Sequence, residues 1–248
     1  MNEELYPELY EMEQRHWWFT AKHTIVASLL RRFLGRSSED ARQRVADLGC
    51  GCGMILQKLS STYDVIGADG SDQAVAFCAQ RGVKAVIGRF PDDIPLERNT
   101  YDAVLLLDVL EHLDDDLASA KTAASLLKPG GILVCTVPAY QWLWTKRDEH
   151  HQHKRRYSKR QFRRLFEMPG LKLELLSYMN TALLPLAVVE RLMRKIFPIG
   201  AGQTDLRVPV APINAAMRTT FASERLLLGR VWMPAGLSLV AVARKQAD

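Results

Sequence analysis

The sequence contains no run of about 20 apolar residues, the length that a membrane-spanning helix requires. Its nearest approach, Leu175–Val189, is uncharged but short, carries Pro185 and begins inside a stretch that reads as a strand. Met1–Glu13 is acidic and lacks the basic start and apolar middle of a secretory leader, so a cytoplasmic protein is expected. Cysteine is sparse. Cys50, Cys52, Cys78 and Cys135 show no C-x-x-C spacing, which argues for four reduced thiols rather than a disulfide framework or a structural zinc site. The sequence shows no internal repeat and no low-complexity tract, and no appended RNA-binding domain is expected. What remains is a globular composition, 48% hydrophobic and 25% charged over 248 residues, enough for one α/β domain with an insertion. The net charge of +5 is concentrated in His150–Arg164, a cluster suited to phosphate, nucleic acid or an anionic lipid surface.

Val45–Gly53 is the most informative stretch. A short apolar run containing Asp47 reads as a buried strand, and Gly49, Gly51 and Gly53 read as a tight turn into a helix. Without Cβ atoms these glycines let a ligand lie against the backbone. A strand, glycine turn and helix in this order make a nucleotide site at the carboxyl end of a parallel sheet. The spacing is G-x-G-x-G, not the G-x-G-x-x-G of dinucleotide sites. Asp69, twenty residues after Gly49, is either a ribose acceptor at the end of the second strand or an ordinary turn acid. Dehydrogenases use the same position, so Asp69 alone does not separate the two classes.

Seven strands are expected, at about Val45–Leu48, Tyr63–Ala68, Lys84–Ile87, Tyr101–Leu107, Ile132–Val137, Leu171–Tyr178 and Leu237–Ala243. Tyr101–Leu107 is nearly all apolar, as a strand covered on both faces should be. Strands alternate with helical segments, which predicts a doubly wound parallel α/β sheet. Residues 3–34 read as helical, Ser71 as a helix cap, and Ser158 with Gln161 as a capping box. Three domains or segments follow: a helical cover over 1–40, a core over 41–179 and 237–248, and an insertion over 180–236. Within the insertion, helices are expected at about Leu186–Phe197 and Ile213–Leu228. The insertion can serve as an acceptor lid, a homodimer contact, a foot on the inner face of a membrane, or a plain cap on the core.

The glycine turn with Asp47 before it resembles motif I of the class I S-adenosylmethionine (SAM)-dependent methyltransferases. Tyr101–Leu113 and Leu126–Pro138 resemble motifs IV and VI, so the resemblance covers about residues 40–180. It implies a seven-stranded Rossmann-like sheet, SAM as cofactor and S-adenosylhomocysteine as product. It also implies that the Gly49–Gly53 loop, with Cys50, passes under the methionine part and that Asp47 faces its ammonium. Asp69 and Gly70 would take the ribose and Phe90 the adenine face, with Asp108 and Val109 completing the cofactor contacts. Relatives often carry an acid soon after strand 3, whereas Gly88 is here followed by Arg89 and Phe90, and Asp92 is a stand-in for that acid. The His16-Trp17-Trp18-Phe19 segment resembles the N-terminal helix that covers the cofactor pocket in many small-molecule methyltransferases.

Two sets of residues can serve the acceptor. Asp108, Glu111 and His112 share a helical face. They resemble in part a motif that holds a divalent cation in ubiquinone-pathway and small-RNA methyltransferases, with Asp where those have Glu; metal binding is the secondary reading, and a structural role the first. Asp148–Tyr157, with Asp-Glu followed by His and Arg-Arg-Tyr, resembles a bacterial methyltransferase subgroup of poorly defined substrate. His153 or His151 can act as general base, and Arg155 and Arg156, next to Tyr157, can clamp a phosphate or carboxylate, or the segment is solvated charge. Trp18, Trp142 and Trp144 can wall an aromatic or lipid-like acceptor, or fill core. The expected function is methyl transfer to a small molecule at oxygen, lipid-linked or phosphate-bearing. An RNA methyltransferase and a non-catalytic SAM-binding scaffold at a membrane are the alternatives.

Overall fold

The structure is a computed structural model that describes residues 5–35, 41–196 and 208–247. Its strands are β1 (Arg44–Leu48), β2 (Asp64–Asp69), β3 (Ala85–Ile87), β4 (Tyr101–Leu107), β5 (Leu127–Pro138), β6 (Leu171–Met179) and β7 (Ser238–Lys245). The helices are α1 (Tyr6–Arg15), α2 (Trp17–Leu34), α3 (Met54–Leu59), α4 (Asp72–Gln80), α5 (Asp116–Leu126), α6 (Lys146–His150), α7 (Lys159–Arg164), α8 (Leu184–Ile196) and α9 (Ala211–Ser223).

The seven strands form one sheet in the order β3-β2-β1-β4-β5-β7-β6. β1 to β5 run parallel, and β7 lies antiparallel between β5 and β6. The strand order reverses between β1 and β4, which opens a crevice at their carboxyl ends where ligands bind in such sheets. β4 shows why its sequence is apolar from Ala103 to Leu107. Tyr101, Val104 and Leu106 enter one core, whereas Ala103 and Leu105 enter the other on the opposite face. The second core is covered by Ile25, Val26, Leu29 and Leu30 of α2 and by Phe221 of α9. Each such large side chain contributes about 1.5–3 kcal/mol by leaving water.

Several expectations are corrected. The helix over 3–34 breaks at His16, whose extended backbone (φ −72°, ψ 132°) ends α1 while its ring accepts a hydrogen bond from the Trp18 amide to start α2. Ser71 does not cap α4 with its side chain; its amide instead donates to Asp69, 3.1 Å away. The capping box of Ser158 and Gln161 is present at the start of α7. The strand expected from Ile132 begins at Leu127, because the chain re-enters the sheet before the glycine turn. Phe197, the expected end of the first insertion helix, lies outside the described residues, as do residues 1–4 and 36–40 of the cover. No helix among the described residues is long and apolar enough to cross a membrane.

Candidate active site

At the crevice, Gly49, Gly51 and Gly53 take φ values of 74°, 54° and 79°, which side-chain-bearing residues rarely adopt. A Cβ on Gly49 would come within 2.5 Å of Val109, and one on Gly53 within 2.7 Å of the Cys78 sulfur. The loop thus turns closely under β1 and keeps its amides together. Asp69, at the end of β2, accepts from the Gly51 amide at 2.9 Å and the Tyr6 hydroxyl at 3.2 Å. Burial raises its carboxyl, with those bonds opposing. Asp47 is fully buried, and burial pushes it up to about 7. Its Oδ1 has no hydrogen-bond partner. Above the loop, Glu13 of α1 accepts from the Met54 amide and pairs with Arg81, whose Nη2 is 3.4 Å away. Burial still pushes Glu13 up to about 7. Arg81 also donates to Cys52 O and Tyr10 O, so one guanidinium ties α1 to the glycine loop.

The other half of the crevice begins at Asp108, just past β4. Its φ of 58° is strained for a non-glycine residue. It is held by Lys22 of α2, whose ammonium is 2.7 Å from Oδ2 and 4.2 Å from the Trp18 ring centre. Glu111 and His112 follow in a single 3-10 turn. Burial, then Asp108, raises the Glu111 carboxyl well above the usual range, and burial lowers His112 to about 3. The loop after α6 brings His153 against them, with its ring centre 4.7 Å from that of His112. His153 Nδ1 is 2.9 Å from Asp148 Oδ1. Arg156 donates to both Asp148 oxygens, at 2.8 and 3.1 Å. Burial acts to raise Asp148, but the hydrogen bonds from His153 and Arg156 outweigh it and hold the carboxyl far below its usual value. Burial lowers His151 to about 4. Both halves line one cavity of about 1500 Å³.

A family model described as a methyltransferase domain matches residues 17–176. The chain belongs to this methyltransferase family. A ubiquinone biosynthesis O-methyltransferase of Aliivibrio fischeri is 28% identical over 134 residues, 49% of this chain and 57% of the relative. The chain spans about half the length of the curated relatives it matches. Among solved structures, a chain from the complex between the Haloferax volcanii Trm112 methyltransferase activator and a methyltransferase has a TM-score of 0.59 at 23% identity, over 96% of this chain and 93% of that one. The phosphoethanolamine N-methyltransferase 2 of Haemonchus contortus, in complex with SAM, has a TM-score of 0.57 at 19% identity, over 90% of this chain and 52% of that one. The fold is therefore the seven-stranded, Rossmann-like fold of class I methyltransferases.

SAM is the cofactor that this family implies, and the methyltransferase cradle fits it. Asp47 has a buried acceptor oxygen without a partner for an ammonium, and Asp69 stands at the strand end where ribose hydroxyls bind. Asp47, Gly49, Cys50, Gly51, Asp69, Gly70, Phe90, Asp108 and Val109 all line the cavity. Gly53 does not, and its missing Cβ serves packing against Cys78 instead. Asp92 is exposed and off the cavity wall.

On the acceptor side, Trp18, Trp142, Trp144, Glu111, His112, His151, His153 and Arg156 line the same cavity. Arg155 and Tyr157 do not. Arg155 pairs with Asp116 at 3.0 Å, and the buried Tyr157 hydroxyl bonds Asp116 and Leu110 O. Arg156 is engaged by Asp148, so it fixes that carboxylate rather than waiting to clamp an anion. Sequence reading misses Lys22, Tyr6, Glu13 and Arg81. Only Lys22, one helical turn after Trp18, carries a local signal.

Proposed function

We propose that this methyltransferase moves the methyl group of SAM to an oxygen of a small-molecule acceptor. The observation that carries the reading is the fixed row Arg156–Asp148–His153, standing beside Glu111 and His112 in the cavity that also holds the cofactor cradle. Bound SAM supplies a methyl on a cationic sulfonium, which is displaced in line by the acceptor oxygen as the carbon–sulfur bond breaks. The chain's work is then alignment and proton removal. Asp47 holds the methionine end of the cofactor and Asp69 its ribose. Lys22 holds Asp108 at the point between cofactor and acceptor. Asp148 orients His153 so that its second ring nitrogen faces the cavity. The hydroxyl proton passes to an imidazole, His153 or its neighbour His151; burial keeps His151 uncharged at neutral pH.

The acceptor carries an apolar body and an acidic group. Leu183, Leu186 and Ala187 of the insertion line the cavity beside Lys146 and Arg191. Arg191 Nη1 is shielded from solvent and has no hydrogen-bond partner. The likeness to ubiquinone-pathway O-methyltransferases supports transfer to oxygen. The basic run divides, with His150, His151, His153 and Arg156 at the cavity and Arg160, Arg163 and Arg164 exposed on α7 away from it. With Arg156 taken by Asp148, Lys146 and Arg191 serve as cavity cations for the acceptor, which favours a small anionic group over a long phosphate track. The test is a screen of phenolic, carboxylate and phosphate-bearing lipids for S-adenosylhomocysteine release, beside calorimetry with SAM. Folded protein that takes up neither SAM nor its product rejects the reading.

A further inference from the structure

One feature of the acceptor side is electrostatically incomplete. Both oxygens of Glu111 are shut off from solvent without a hydrogen bond, and so is His112 Nδ1. A buried carboxyl group with neither oxygen hydrogen-bonded is costly in either protonation state. The nearby cations are committed elsewhere, Lys22 to Asp108 and Arg156 to Asp148. One ligand atom each from Glu111, His112 and His153 lie within 4.8 Å of one another. Asp148 holds His153 by Nδ1, which leaves Nε2 with its lone pair free, as a carboxylate does behind a metal-binding imidazole.

We propose that Glu111, His112 and His153 hold a divalent transition-metal ion. Two imidazoles and a carboxylate suit Zn²⁺, Mn²⁺, Fe²⁺ or Co²⁺, whereas Mg²⁺ and Ca²⁺ favour all-oxygen shells. Bonds of about 2.1 Å require the three groups to close in from that spacing. Asp108, which the sequence motif groups with Glu111 and His112, is not among the ligands, because Lys22 takes it. His153, from the far side of β5, stands in its place. Three protein ligands leave positions open for an acceptor oxygen. The ion polarises that oxygen and keeps its own oxidation state. With His153 a ligand, the hydroxyl proton leaves to His151, whose ring centre is 5.9 Å away, and from there to water. This role rests on the oxygen-acceptor reading, but the binding of the ion does not.

The chelator-stripped protein is titrated with Zn²⁺ or Mn²⁺ alone by calorimetry, and with Co²⁺ by visible absorption. One equivalent is expected, with nitrogen and oxygen ligation. Glu111→Gln and His153→Gln each weaken it about tenfold or more, and Asp148→Asn about tenfold, with SAM affinity unchanged in all. Should Glu111→Gln fail to fold, His153→Gln carries the comparison. SAM uptake without stoichiometric ion uptake overturns the proposal and leaves methyl transfer standing. Ion affinity unchanged in the folded variants also overturns it. So does a sulfur-to-cobalt charge-transfer band, which would put the ion at Cys50 and Cys78, whose sulfurs are 3.8 Å apart. Failure of SAM binding by calorimetry counts against the methyl-transfer reading alone.

Discussion

Single side chains divide the cavity into two tasks, and substitutions should separate them. Asp69→Ala removes the ribose acceptor and the partner of the Gly51 amide, so SAM affinity should fall about tenfold or more in calorimetry, the cost of a lost charge-assisted bond or two. Arg156→Met should leave SAM affinity unchanged but lower kcat roughly 10- to 100-fold, because Asp148 loses both guanidinium bonds and keeps only those from Thr145 to hold it behind His153. Arg156→Lys should not restore the rate, since an ammonium does not reproduce a bidentate fork. The placement of Asp47, Gly49 and Asp69 at the crevice was legible from sequence because a parallel strand followed by a glycine turn admits few geometries. The roles of Arg155, Arg156 and Tyr157 were not. Their sequence neighbourhood is shared, but only Arg156 faces the cavity, and its partner Asp148 lies across a turn whose course depends on tertiary packing.

Among elements, every strand but β5 was read to within two residues because alternation and apolar runs mark burial directly, whereas β5 begins five residues early, before the glycine turn. The break between α1 and α2 was not read, since neither Gly nor Pro marks it and an imidazole does the capping. The docking of α1 depends on Arg81, a residue of the α4 end that contacts Glu13, Tyr10 and Cys52 at once. Arg81→Met should cost about 1–3 kcal/mol by leaving Cys52 O, Tyr10 O and the Glu13 carboxyl without their guanidinium donor. Hydrogen exchange over Tyr6–Arg15 should rise far more than over β4. Equal acceleration in both would show that α1 is not separately held. Gly53→Ala, which combines a left-handed φ with a 2.7 Å approach to Cys78, should destabilise by roughly 1–3 kcal/mol in denaturant melts.

For the whole molecule, buried ionisable groups set the response to pH. Asp47 and Glu13, each pushed up to about 7, retain protons in the folded protein that the unfolded chain has released. Stability therefore falls as pH rises through that window toward 7 and just above it. His16, lowered to about 4, and His23, lowered by full burial, act in the opposite sense below about 6.5. Above that pH they are neutral in both states, so the melting temperature without ligand should fall between pH 6.5 and 8. Asp47→Asn should flatten the slope, and a melting temperature that climbs over this interval would contradict the assignment. SAM at about 100 times its Kd should add about 2.7 kcal/mol.

The threading of β7 between β5 and β6 has an outcome during synthesis. Among the described residues, β6 pairs with β7 alone, and the far edge of β5 has no other strand partner. While the ribosome is still making the insertion, the parallel half carries a raw hydrogen-bonding border and β6 has nowhere to attach. That nascent intermediate is open to pairing with other chains until the late strand slides into its slot.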